Sequence, residues 1–121
     1  MKFWKRRWGS LENNKSILNL IGLATKAGRT ASGEFSTEKA VKTGKAFLVI
    51  VSREASDNTK KKFANMCTYY EVPICIFGNK EELGRAMGKE MRASLAVTDQ
   101  GFAKAMVKKL NLNGGSKYES E

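Results

Sequence analysis

A chain of 121 residues has room for one domain with a modest core and none for a second, catalytic domain. It contains no histidine, two cysteines, and 22 Lys and Arg against 12 Asp and Glu. That composition removes zinc-ligand spacings and a disulfide framework, and it favours a polyanionic partner, nucleic acid ahead of an anionic membrane, over a merely solvated basic surface. No apolar run approaches the length of a membrane span, and no hydrophobic region follows the N-terminal bases, which is the pattern expected of a cytoplasmic protein.

Residues 1–15 read as an arm in which Lys2, Lys5, Arg6 and Arg7 interleave with Trp4 and Trp8. Such an arm suits unpaired nucleotides, an anionic membrane surface, or docking on the domain, and the sequence leaves all three open. The domain itself is expected over 16–110, where most of the basic excess lies. Ser16 is placed to open an amphipathic helix with Ile17, Leu20, Ile21 and Ala24 on one face and Gly28 at its end. A short extended segment at 29–32 precedes a second helix that starts between Gly33 and Ser36 and runs to Thr43, with Ala40 and Val41 inward and Gly44 as its stop. The uninterrupted apolar run 46–51 is the pattern of a strand covered on both faces, hence the central strand.

From Ser56 the period returns to that of a helix, with Phe63, Met66, Cys67 and Tyr70 inward and Lys60, Lys61 and Lys62 outward. Residues 72–77 form the next strand, Pro73 standing at its start where a missing N–H is tolerated. Asn79 and Glu82 are spaced as a capping box for a short helix that Gly88 ends, and residues 94–97 are a last strand. Thr98 or Asp99 caps a final helix with Phe102, Ala103, Met106, Val107 and Leu110 on its apolar face. Residues 111–121 read as a flexible tail. Strands alternating with helices imply crossover connections, so the fold class is α/β, a three-layer α/β/α sandwich with a small mixed sheet.

Catalysis finds no support in the residue types. There is no histidine to act as a base, and Cys67 and Cys75 lie in apolar settings that suit small core residues rather than reactive thiols. The acids Glu38, Asp57, Glu81, Glu82 and Asp99 sit in helix first turns or beside lysines, where capping and solubility account for them. Gly78, Gly84 and Gly88 flank or interrupt a helix and form no phosphate-binding loop. The chain is expected to be no enzyme and to need no cofactor or metal.

The stretch from Gly78 to Ser94 carries the functional signal: a capped helix, its glycine stop, and a loop that places Lys89 and Arg92 beside Met91 and Ala93. Bases next to apolar side chains suit a phosphate backbone with an exposed base. Gly78-Asn79, Glu82-Leu83-Gly84, Ala86, Gly88-Lys89 and Arg92 resemble the corresponding run of the ribosomal, kink-turn RNA-binding family of the large-subunit proteins named seven-Ae and thirty-e. Lys39-Ala40-Val41 before Gly44 is a second match. Residues 56–62, 69–73 and 97–103 look closest to the small bacterial branch encoded near translation-factor genes, and the resemblance covers 17–110.

The resemblance implies a sandwich that binds sharply bent, internally looped RNA at one end of its sheet, in association with the ribosome or the translation apparatus. Its two RNA-facing elements correspond here to Gly33, Glu34 and Lys39, and to Glu90, Met91, Arg92 and Ala93. In those roles Gly33 lets the backbone approach RNA, Lys39 and the helix N-terminus hold phosphates or base edges, Met91 and Ala93 pack on an extruded base, and Arg92 clamps a phosphate or stacks. Lys26, Arg29, Lys42 and Lys89 complete the candidate set. The chain departs from the archaeal pattern where an Asn-Glu pair reads sheared base pairs: Phe35 and Ser36 stand there instead, and Glu34 is the neighbouring polar substitute. Phe35 is read as a hydrophobic staple or core residue in preference to a stacking one. A protein-interaction or regulatory module on the same scaffold is the alternative.

Overall fold

The computed structural model describes the backbone of residues 2–112 and the side chains of residues 14–110. The side chains of the basic, aromatic arm as far as residue 13, and the tail apart from the backbone of residues 111–112, lie outside the described residues. In chain order the elements are α1 (Lys2–Lys26), β1 (Thr30–Ser32), α2 (Glu34–Lys42), β2 (Leu48–Val51), α3 (Asp57–Tyr70), β3 (Ile74–Ile76), α4 (Lys80–Ala86), β4 (Ser94–Val97) and α5 (Gln100–Leu112).

The four strands form one sheet in the order β1-β4-β2-β3. β2 and β3 are parallel, as the α3 crossover requires, while β4 runs antiparallel to both β1 and β2. The sheet is therefore mixed. β2 and β4 occupy its middle and are buried along their whole length, β1 and β3 are its edges.

Alternation along the central strands divides the core into two layers. Leu48, Ile50, Leu95 and Val97 face Ile17, Ile21 and Ala24 of α1, Leu83 of α4, and Ala103, Met106 and Leu110 of α5. Val49, Val51 and Ala96 face the opposite way, onto Ala40 and Val41 of α2 and Phe63 and Cys67 of α3. The expected three-layer α/β/α sandwich is the observed one.

Tyr70, expected inward, is instead 40% exposed on the last turn of α3, its ring edge-on to that of exposed Tyr69. Two further expectations need correction. Ser16 does not open the first helix, which already runs from Lys2. Helix-favouring Lys, Arg, Leu and Glu make up half of residues 2–15, and a single Gly9 costs about 1 kcal/mol of propensity, too little to break such a run. The second concerns the apolar run 46–51: β2 begins only at Leu48, and Phe47 is 42% exposed where a covered strand residue was expected. Phe47 sits at the sheet's rim, its amide donating to the Val97 carbonyl at 2.8 Å, where no helix covers it fully.

The caps follow the sequence closely. Ser56 Oγ accepts from the Thr59 amide, Asn79 and Glu82 form the reciprocal capping box, and Asp99 Oδ2 accepts from the Phe102 amide at 2.9 Å. Among the described residues no helix is long and apolar enough to cross a membrane.

Candidate nucleic-acid interface

Register decides which residues meet. β1 ends at Ser32 opposite Leu95, and one residue further on the Gly33 amide donates to the Ser94 carbonyl at 2.9 Å. The start of α2 and the segment leading into β4 are thereby joined at one end of the sheet. Gly33 makes the sharp turn into α2 at φ +93° and ψ 162°, a conformation that side-chain-bearing residues avoid. Its N-terminal amides receive no side-chain cap from residue 33.

The loop after α4 is held from several directions. Gly88 lies in the left-handed region at φ +68°, and the Lys89 and Gly88 amides donate back to Gly84 and Arg85 carbonyls at 2.8 and 3.0 Å, the paired bonds of a Schellman stop. The Glu90 carbonyl then presses on α4 at Gly84, where a Cβ would overlap it. The Arg92 amide donates to the Lys80 carbonyl at 3.1 Å, and the Ser52 amide donates to the Ala93 carbonyl at 2.8 Å. Ser52 itself is fully buried: its hydroxyl donates to the Gly78 carbonyl and accepts from the Glu54 amide, while Glu54 Oε1 accepts from the Lys80 amide. The ends of β2, β3 and β4 and the start of α4 are thus fastened into one platform.

On that platform the Arg92 guanidinium crosses to β1, its Nε 3.5 Å from Ser32 Oγ and its Nη1 donating to the Met91 carbonyl at 2.9 Å. Met91 is 60% exposed. Phe35, on the first turn of α2, is 78% exposed, so it is neither a staple nor a core residue. Thr37, Ala40 and Val41 supply the inward face of α2, which turns position 35 outward. An exposed aromatic ring therefore stands where the archaeal pattern has Asn.

Glu34 is engaged elsewhere. Its Oε2 lies 3.0 Å from Lys62 Nζ, and Lys62 also binds Glu38 Oε1 at 2.9 Å, while Lys42 binds the other Glu38 oxygen at 2.8 Å. Hydrogen bonds from Lys42 and Lys62 hold the Glu38 carboxyl below its ordinary value, and the bonds Lys62 donates to Glu38 and Glu34 raise its own pKa. The cluster locks α2 to α3 and removes Glu34 as an unencumbered acceptor.

Of the candidate residues, Gly33, Glu34, Lys89, Glu90, Met91, Arg92 and Ala93 are brought together here, with Lys39 one turn along α2. Lys26 and Arg29 are not. Arg29 precedes β1, its carbonyl accepting from the Thr98 amide and its Nε 4.0 Å from Asp99 Oδ1, about 13 Å along the sheet from Gly33 at the usual strand rise. Lys42 lies at the far end of α2, paired with Glu38. Ser32, Ser52, Glu54 and Lys62 were not anticipated. Ser52 carried a faint signal, a small polar residue directly after the central apolar strand, whereas the Glu34–Lys62 pair spans 28 positions and leaves no local trace.

Among the described residues no group of His, Cys, Asp and Glu could hold a metal ion. The arrangement offers backbone access at Gly33, free amides at a helix start, a guanidinium between two strands, and two exposed apolar side chains, a set suited to recognition rather than bond-breaking.

The chain is 42% identical over 92 residues to the RNA-binding protein YlxQ of Bacillus subtilis, covering 76% of this chain and 92% of that one. A solved structure of a protein of unknown function from Bacillus halodurans superposes with a TM-score of 0.76 at 39% identity, over 78% of this chain and 96% of the other. The 15.5 kD RNA binding protein of Giardia lamblia superposes with a TM-score of 0.72 at 25% identity, over 84% and 90%. Residues 15–107 match the model of one family, and with the sandwich, the capped α4 and the paired segments at the sheet's end they make this chain a member of the ribosomal protein L7Ae/L30e/S12e/Gadd45 family.

Proposed function

We propose that this protein is a non-catalytic binder of structured RNA, acting in the cytoplasm with the ribosome or the translation apparatus, and that it grips a sharply bent RNA of the kink-turn kind. The binding unit is the domain at 16–110, extended by the basic, aromatic residues 1–15. The observation that carries the reading is the junction of the α2 start with the 88–93 loop through the Gly33–Ser94 bond and the Arg92–Ser32 contact. Arg92 and Lys89 meet phosphates, the Gly33 backbone lies against the bend, and Met91 covers an extruded base. The names of its relatives in Bacillus subtilis and Giardia lamblia support RNA as the ligand. Phe35 lacks polar atoms for base edges, so recognition at that position is by ring stacking.

The test is affinity for a kink-turn RNA against a straight duplex of equal length across a salt series. A preference for the bent RNA is expected, with a linear fall of log affinity against log salt. Arg92→Ala should cost about 1–3 kcal/mol. Equal affinities at every salt would remove the kink-turn reading, and a flat salt dependence would remove phosphate-driven binding. Partners that stay bound after ribonuclease treatment would instead assign the exposed Phe35 and Met91 to a protein interface.

A further inference from the structure

At the end of the sheet remote from Gly33 and Arg92, a groove of about 510 Å³ opens beside Phe47. Phe47, Pro73, Ala103 and Val107 form its apolar floor, and Lys104 and Lys108 stand over it. The two lysines are four residues apart on α5 and so project side by side. Neither makes an ion pair among the described residues, in contrast to Lys42 and Lys62, whose charges are matched by Glu34 and Glu38. No acidic residue lines the groove.

The charge calls for an anionic occupant, and two features favour unpaired nucleotides over an acidic peptide. The ring of Phe47 is half-exposed at the groove's edge, a face on which any base can stack, while the paired lysines suit adjoining phosphates. A peptide adding itself to the neighbouring edge strand β3 would find Pro73, which has no N–H to offer, at its start. We infer that this groove is a second nucleic-acid site, taking one or two unpaired nucleotides, so that the protein holds two RNA segments from opposite ends of its sheet. It does not depend on the kink-turn reading, because its residues share nothing with the Gly33–Arg92 surface.

The experiment titrates the full chain, ¹⁵N-labelled, with a short single-stranded oligouridylate, and in parallel with a polyglutamate peptide of equal charge. Oligouridylate should shift the amides of Phe47, Lys104 and Lys108. Phe47→Ala should weaken its binding at least about fivefold, the lower limit for one stacked base. Lys104→Gln with Lys108→Gln should lower the slope of log affinity on log salt by about 1.4, two phosphate contacts' worth for a single strand. Lys61→Gln, on the exposed face of α3 and in neither site, should leave both quantities unchanged. Shifts confined to residues 33–39 and 89–93, wild-type affinity in both groove variants, or polyglutamate binding as tightly with the same dependence on Phe47 would each overturn the inference.

Discussion

Gly84 decides where the 88–93 loop lies. It is buried in α4, and the Glu90 carbonyl occupies the space that any side chain at position 84 would need. Gly84→Ala should therefore push the loop off α4, destabilising the fold by about 1–3 kcal/mol as overpacked sites do. The amides of residues 88–93 should move in an NMR spectrum, and RNA affinity should fall although none of the side chains proposed to face RNA has changed. An unmoved loop in that variant would show that α4 makes room for the added methyl without displacing the Glu90 carbonyl. Phe35 is the converse case, where the side chain and not the backbone carries the meaning: its ring is held out by the inward demands of Thr37, Ala40 and Val41.

Between elements, the Glu34–Lys62–Glu38–Lys42 cluster is what joins α2 to α3 outside the core. Because Glu38 is held below its ordinary value of 4.5 in the folded state, its contribution is present above that value and is lost as pH falls through the lowered one. Lys62 is raised above 10.5, so its share is present below that value and is lost as pH rises through the raised one. Thermal melts from neutral to acid pH should show a stability loss beginning below 4.5 that is smaller in Glu38→Gln and reduced by added salt. An unchanged acid limb in that variant would place the acid sensitivity elsewhere. Much of the fold was legible at this level, because the period of Phe63, Cys67, Ala103, Met106 and Leu110 and the caps at Ser56, Asn79 and Asp99 are local signals. The beginning of α1 was not, since residues 2–15 contain no strong stop. Apolarity alone misread Phe35 and Phe47, because it records what a side chain is and not whether another element arrives to cover it. The division of the candidate bases between the two ends of the sheet needed the β1–β4 register, which no local pattern carries.

As a whole the molecule is a small sheet closed on both faces by helices, with its thiols inside. Cys67 is buried against α2 and the sheet, and burial pushes its thiol up to about 12, so almost no thiolate exists near neutrality. Alkylation by iodoacetamide at mildly basic pH should be negligible in the native protein and should rise with urea in step with the loss of far-ultraviolet circular dichroism. Labelling of Cys67 ahead of that loss would mean that the α2–α3 layer opens by itself, since Cys75 packs in the other layer. Both α4 and the end of β2 must be in place before the 88–93 loop is complete, because its ties reach Gly84 and Lys80 on one side and Ser52 on the other. A loop fixed in this way has little conformational entropy left to surrender on binding. In the proposed complex the shape change then falls on the nucleic acid: an RNA already bent by its own sequence or by divalent cations should associate faster than one that must bend on arrival, and loosening the protein should bring no gain in rate.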